Sequence, residues 1–542
     1  MLNSKNHGVT SGASGRRTTL LSAAVVAALT LAASSTALAD SELDALKKQV
    51  QEMQQKIDAM AKQQAQQAQA APAPAAAPAA AAAPAKAPTD GAISMYGITL
   101  SGTLDLGVTY ANHAAPISDY FGAGLYSYIQ KYNTRSVFTA SENNLSQSNI
   151  TLSGQKELIN GWSGLFRLQT AINPLSGNIS DALKSLTQNN GRPCGFTGAN
   201  WNCTYATGAD SSVDGELFNS AAYVGLTNKD FGTITWGRQN GLLADGIAKY
   251  DPMAASQAFS VIGISGTAGG GGNTENRRLD NSVKWNAQFG ALHAGVQYQF
   301  NGSSGTAGNA LQLVLGGAYP VGSFDVIYAK KEQAIGAASL SAAQVTTLNC
   351  PYTVVAGAAA PCTVAGGGGN ALDKSLSGTI TDTTTYSVMT QWNLGKAKLY
   401  ASYEHIQFQN PDTPLPAGSY TLGGYVLAYV NNASIPAGQH KILQFTWLGL
   451  KYPLSSSVDW TIAWYRQEQS AFASGANAGC NDTRSSQCSG LLNAYSTDLV
   501  WKVTKRFDAY GGAMWSGVRD GLASGFLTTT EINPTVGFRF TF

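Results

Sequence analysis

The 542-residue sequence contains no run of 18 or more strongly apolar residues, so it does not cross a membrane as a bundle of helices. Charge is scarce: 12% of residues, about half the usual share. Neither sign dominates, with 34 basic and 32 acidic residues and a net charge of +2, which argues against a nucleic-acid partner. Histidine is rarer still. The five are His7, His113, His293, His405 and His440, and none lies near a cysteine, so no zinc set forms. His293 alternates against Leu292 and Ala294, but it has no serine and acid beside it to make an activated nucleophile. The expectation is therefore no enzyme, no metal and no cofactor. What the chain has instead is 59 Gly and 23 Tyr, suited to a wall between lipid and water.

The N-terminus divides into three parts. Lys5, Arg16 and Arg17 precede a mostly apolar run from Leu20 to Ala33, and Ala37-Leu38-Ala39 supplies small residues for a peptidase, so residues 1–39 read as a secretory signal. Its removal takes three basic residues and leaves 31 against 32 acidic ones. In residues 40–69, Leu43, Leu46, Val50, Met53, Ile57 and Met60 are spaced alternately three and four apart, the a/d seam of a short α-helical coiled coil. Residues 70–90 are dominated by Ala and Pro, with Pro72, Pro74, Pro78, Pro84 and Pro88, and form a semi-rigid linker.

From residue 91 the period becomes two. Tyr96, Ile98, Leu100, Leu104, Leu106, Val108 and Tyr110 share one face, whereas Thr99, Ser101, Thr103, Asp105 and Thr109 share the other. Val536, Phe538, Phe540 and the terminal Phe542 repeat the device against Arg539 and Thr541. An apolar alternating end of this kind would be a hazard at a sheet edge, and in a closed barrel it pairs with the first strand. Sixteen such segments occur, near 96–110, 146–156, 163–172, 216–226, 231–239, 278–288, 291–300, 310–319, 322–331, 383–393, 396–409, 438–452, 457–469, 491–504, 505–516 and 532–542. Their connections alternate short and long. The predicted fold is an all-β transmembrane barrel of 16 antiparallel strands over 91–542, preceded by the coiled coil.

The six cysteines fall in three close pairs, Cys194 with Cys203, Cys350 with Cys362, and Cys480 with Cys488, each pair inside one long connection on the same side. In an exported chain this reads as three local disulfides.

Residues 216–239 carry a resemblance. Glu216-Leu-Phe-Asn-Ser-Ala-Ala-Tyr-Val-Gly-Leu226 and Phe231-Gly-Thr-Ile-Thr-Trp-Gly-Arg-Gln239 resemble the general Gram-negative porins of proteobacterial type. Asp280-Asn-Ser-Val-Lys-Trp285, Tyr96-Gly97, the strand from Ser148 to Gly154 and the terminal Phe542 are similar to them as well. The resemblance implies a homotrimer in outer-membrane lipid, delivered by the barrel-assembly machinery with Phe542 as assembly signal. It implies a water-filled channel for passive diffusion of ions and small hydrophilic solutes, narrowed by an inward-folded third loop. That loop is expected near 240–277, with Asp245 and Asp251 facing basic residues on the wall.

Strand parity then selects the lumen charges: Asp105, Arg167, Arg278, Asp280, Lys284 and Arg539 all alternate against apolar neighbours. A charge on the lipid face at mid-depth costs about 2–4 kcal/mol, which favours the inward assignment. Arg238 shares parity with the apolar Ile234 and Trp236, so it needs a bulge, a position above the lipid band or burial at a subunit contact. The porins usually carry Arg where this chain has Asn149 and Ser220, which makes its wall less basic. Two alternatives stay open. One is a substrate-specific channel, with Tyr120, Tyr126, Tyr128 and Tyr132 as part of a sugar slide. The other is a tether whose periplasmic coil contacts the cell wall, with incidental conduction.

Overall fold

The computed structural model describes residues 93–113, 136–177, 217–263, 277–300, 309–338, 377–411, 418–422, 425–430, 435–480, 485–524 and 526–542, together with residues 129, 134 and 179. The signal sequence, the coiled-coil seam from Leu43 to Met60, the linker, and Cys194, Cys203, Cys350 and Cys362 lie outside them.

The described chain opens on β1 (Ile93–Met95), which folds back on β2 (Ile98–Ala111). Next come β3 (Val137–Glu142), β4 (Asn149–Ile159), β5 (Trp162–Ala171), β6 (Ala221–Asn228) and β7 (Gly232–Asn240). A helix, α1 (Leu242–Tyr250), precedes β8 (Arg278–Phe289), β9 (Leu292–Gln299), β10 (Ala310–Tyr319), β11 (Gly322–Ala338), β12 (Ser377–Leu394) and β13 (Ala397–Gln409). A separate hairpin, β14 (Gly418–Leu422) and β15 (Tyr425–Val430), belongs to the next connection. The wall resumes with β16 (Lys441–Pro453), β17 (Val458–Gln469), β18 (Gly490–Lys502) and β19 (Phe507–Asp520), and ends with β20 (Thr530–Ile532) and β21 (Thr535–Thr541).

Sixteen of these, β2, β4 to β13, β16 to β19 and β21, form the antiparallel wall. It is closed because β2 pairs with β4 through Thr103↔Asn149 on one edge and with β21 through Asp105↔Arg539 on the other. Gly102 and Phe542 complete the seam by exchanging two backbone hydrogen bonds, of 2.9 and 3.0 Å. Closure leaves no strand edge to face lipid, where each unsatisfied peptide group costs several kcal/mol.

The two faces obey the expected alternation. Val224, Leu315, Val326, Val388, Leu448, Leu499, Val536 and Phe538 point outward and are exposed, while inward positions around the wall hold Gln297, Gln312, Thr385, Ser387, Thr461 and Ser516. Tyr319, Trp392, Tyr452 and Trp501 stand outward close to tight turns and form an aromatic girdle at that end. The Asn160-Gly161 turn shows why those connections stay short. Both residues have positive φ, at 51° and 74°, and this twist matches that of the strands it joins.

Three departures from the expected strands have local causes. The second wall strand is broken: β3 pairs with the upper half of β2, residues 143–148 leave the ladder, and β4 pairs with the lower half. Asn143 adopts φ 59° at the break, and its side chain accepts a hydrogen bond from the Ser148 amide at 2.6 Å. β11 and β12 continue their pairing to Ala338 and Ser377 through a bulge between Lys331 and Ala334. The connection after β13 holds its own hairpin, since Gly418–Leu422 and Tyr425–Val430 find partners in each other.

Candidate functional site

The third long connection begins at Gly241 and turns into the barrel rather than away from it. α1 starts without a side-chain cap of its own. The wall supplies one, because Gln312 Oε1 accepts the Leu243 amide at 3.0 Å. Asp245 in the first turn and Lys249 in the last suit the helix dipole. Leu242, Leu243, Gly246, Ile247 and Tyr250 are buried, a spacing of three and four that fixes one face. Gly246 is required by contact. A Cβ there would sit 2.6 Å from Ile327 Cδ1 and 3.0 Å from Met389 Sδ, on the inner faces of β11 and β12.

Beyond the helix, residues 251–263 stay on the inner wall. Met253, Phe259, Val261 and Ile262 join one apolar cluster with the inward-facing Phe445, Trp447, Tyr465, Tyr510 and Met514. Trp447 Nε1 donates to the Tyr250 carbonyl at 3.0 Å, and Pro252 sits over Gly449. The far end reaches the break in the second strand. Ser256 Oγ and the Ala258 amide donate to the Asn144 carbonyl, at 2.6 and 3.0 Å, and Asn533 donates to the Ala258 carbonyl at 2.8 Å. The connection therefore packs on the inner face of β10 to β13 and β16 to β19, and touches β8 through Asp245 and Lys284.

Three aspartate–tyrosine ties fasten this arrangement. Tyr250 donates to Asp325 on β11 at 2.7 Å, Tyr465 to Asp251 at 2.5 Å, and Tyr510 to Asp105 at 2.5 Å. Asp251 and Asp105, expected as lumen charges, are 2% and 0% exposed and so do not front open water. Asp251 accepts the Met253 and Ala255 amides, at 3.2 and 2.9 Å, and burial pushes its carboxyl above the ordinary aspartate range. Asp105 accepts the Leu145 and Ser146 amides, both at 2.8 Å, and so caps the break in the second strand.

The other expected charges are placed as follows. Asp245 pairs with Lys284 at 2.6 Å, joining loop to wall. Arg539 pairs with Asp508 at 2.7 Å. Arg278 is buried and its Nε donates to the Ser220 carbonyl at 3.2 Å. Asp280 is paired with Arg238, which sequence parity alone could not place. A bulge between Gly237 and Gln239 shifts the register, and Gly237 takes φ 126° to make it. The bulge turns Arg238 to the inner side, where it meets Asp280 and donates to the Asn219 carbonyl at 2.8 Å. Arg167 faces inward opposite Tyr223 and makes no ion pair with any described residue. Tyr223 lies within electrostatic reach of both Arg167 and Asp245. Sequence reasoning missed Asp325. Its signal was available in Ser323, Asp325 and Ile327, inward positions that mix a carboxylate with an apolar side chain which only a covering segment explains.

Of the cysteine pairs, Cys480–Cys488 lies within the described residues and is a disulfide, with a Cα–Cα distance of 5.3 Å. Among the described residues no group of three or more His, Cys, Asp or Glu is arranged to hold a metal.

No curated protein matches the chain. Among solved structures it is similar to an anion-selective porin from Comamonas acidovorans, with 16% identity, a TM-score of 0.50, and coverage of 82% of this chain and 99% of that one. It is also similar to the trimer form of OmpT from Vibrio cholerae, with 9% identity, a TM-score of 0.46, and coverage of 82% and 99%. A third is the outer membrane channel DcaP of Acinetobacter baumannii, with 11% identity, a TM-score of 0.44, and coverage of 84% and 99%. The sequence profile of the Gram-negative porins matches residues 68–471. With that match and the closed sixteen-stranded wall, the chain belongs to the Gram-negative porin family, the channel-forming transport proteins of the outer membrane.

Proposed function

We propose that this porin passes ions and small hydrophilic solutes by passive diffusion through a lumen narrowed by its third loop, and that it catalyses no reaction. The observation that carries the reading is the fastening of Gly241–Gly263 along the inner face of β10 to β13 and β16 to β19. A solute then moves between this loop and the wall of β4 to β8, where Arg167, Tyr223 and Lys284 line one side and Asp245 stands on the loop. Selectivity in such a pore follows its width and the charges at its narrowest point. Most inward charges there are matched, Lys284 by Asp245 and Arg238 by Asp280, so the preference is mild. Arg167, without an ion-pair partner among the described residues, gives it an anionic sign, as the name of the Comamonas porin records for that protein.

The working unit in this reading is a homotrimer in outer-membrane lipid, inserted by the barrel-assembly machinery, with the tight turns and the N-terminal coil on the periplasmic side. The sugar-channel and tether alternatives rest on Tyr120 to Tyr132 and on residues 41–88, which lie outside the described residues. The test is planar-bilayer recording under asymmetric salt, comparing the full chain with a variant lacking residues 243–262. Stepwise currents that rise on deletion are expected. Absence of current would overturn the channel reading, and unchanged conductance would overturn the constriction.

A further inference from the structure

Asp325 is the point at which the inward loop meets the wall with most donors. Its carboxylate accepts Tyr250 OH at 2.7 Å and Lys249 Nζ at 3.1 Å from the end of α1, and His293 Nε2 lies 2.9 Å away on β9. β9 and β11 are not neighbours, because β10 runs between them. Gly316 pairs with His293 on one side and with Asp325 on the other, so all three stand in one row across the wall. A Cβ on Gly316 would strike His293 and lie 2.5 Å from Asp325 Oδ1. The missing side chain on the middle strand is what lets a histidine reach a carboxylate two strands away.

We infer that this His293–Gly316–Asp325 row is the anchor that sets the position of α1, and through it the bore of the pore, with Asp325 as a positioning residue. The inference rests on the third loop being the constriction. The wall side of the anchor is rigid, because three strands and a buried histidine hold the carboxylate. The loop side is held by two adjacent residues, Lys249 and Tyr250, at the C-terminal end of a nine-residue helix. The helix bears Asp245, whose pairing with Lys284 forms the facing edge of the lumen. Releasing Asp325 therefore loosens the helix end, which then keeps only the Trp447 bond to the Tyr250 carbonyl and the Tyr465 bond to Asp251, and lets Asp245 shift with it. An acidic lumen charge at position 325 would behave differently: it would act on ions directly and would not need Gly316.

Single-channel recording of the full chain separates these roles with four variants and one combination of them. Asp325→Asn weakens the anchor by removing charge. Gly316→Ala breaks the row with no change of charge. Lys249→Met with Tyr250→Phe removes only the donors of the loop, and keeps the test available if Asp325→Asn fails to assemble. Deletion of residues 243–262 reads the constriction itself. The first three are expected to lose the single conductance level and to raise open-channel noise, and adding Asp325→Asn to the loop pair should change nothing further, as required of groups acting as one unit. A silent Gly316→Ala alongside a shifted reversal potential in Asp325→Asn would overturn the anchor in favour of a plain lumen charge. Quiet, wild-type conductance in all three point variants would overturn it outright while leaving the constriction intact, provided the deletion raises conductance. A deletion without effect would instead remove the constriction on which the inference rests.

Discussion

Arg167 and Asp245 differ in one respect that decides the field in the lumen: the carboxylate has a partner in Lys284 and the guanidinium has none among the described residues. Replacing Arg167 by Gln removes an unbalanced positive charge, so the reversal potential under asymmetric potassium chloride should move toward cations. Asp245→Asn should move it the other way, because Lys284 then stands uncompensated. A result in which both substitutions shift the potential in the same direction would contradict this pairing. Tyr465 offers a third residue-scale test. Tyr465→Phe keeps the ring in the apolar cluster and removes only the hydroxyl that meets Asp251, a buried hydrogen bond whose loss costs about 1–3 kcal/mol. The midpoint of urea unfolding in detergent micelles would report it. The pH dependence at this tie has a definite sign. The folded-state pKa of Asp251 is raised above its ordinary 3.8, so its contribution favours folding at low pH and is lost as pH rises through the folded value. Acidification alone should therefore leave this part of the loop in place, which pore noise recorded from neutral to acidic pH can check.

At the scale of elements, strand alternation was nearly enough to find the wall. Each of the sixteen segments read from the sequence corresponds to an observed strand, because lipid outside and water inside impose opposite chemistry on successive residues. The misreadings cluster where a neighbour, not the strand itself, sets the residue. Leu443, Phe445 and Trp447 point inward on β16 while Gln444 and Thr446 point outward, an inversion that makes sense only once the loop is seen to cover them. The break at 143–148 depends on a carboxylate forty residues away, and the predicted strand at 146–156 starts inside it. Asp105 is expected as a lumen charge from strand parity and Asp251 from the resembled loop, and neither signal says what packs over the side chain, so their tyrosine ties are not legible in the sequence. Arg238 shows the converse: its parity was misleading because one residue, Gly237, shifts the register. Gly237→Ala should be costly, at about 1–3 kcal/mol, because φ 126° is closed to other residues and a Cβ would lie 3.0 Å from Tyr223 Cα. The measurement is again the unfolding midpoint, and an unchanged value would mean that the bulge is not what holds Arg238 against Asp280.

At the scale of the whole molecule, the seam between β2 and β21 is where stability and biogenesis meet. Deleting Phe542 removes two backbone hydrogen bonds to Gly102 and a ring stacked on Phe540 at 6.1 Å between centroids. The expected outcome is a fall in the fraction of chain that reaches the heat-modifiable, folded form on electrophoresis, with the conductance of the survivors unchanged. A full yield would show that the remaining β2–β21 pairs seal the barrel unaided.

The bond from Phe542 back to Gly102 has one more consequence. The wall strands follow one another round the ribbon in chain order, yet the circle stays open until β21 takes its place beside β2. A copy cut short by a stalled ribosome or a protease would present the raw margin of its opening strand to whatever lay alongside. Sealing of the wall thus waits on β21, and a product lacking that strand betrays itself by an unfastened hem.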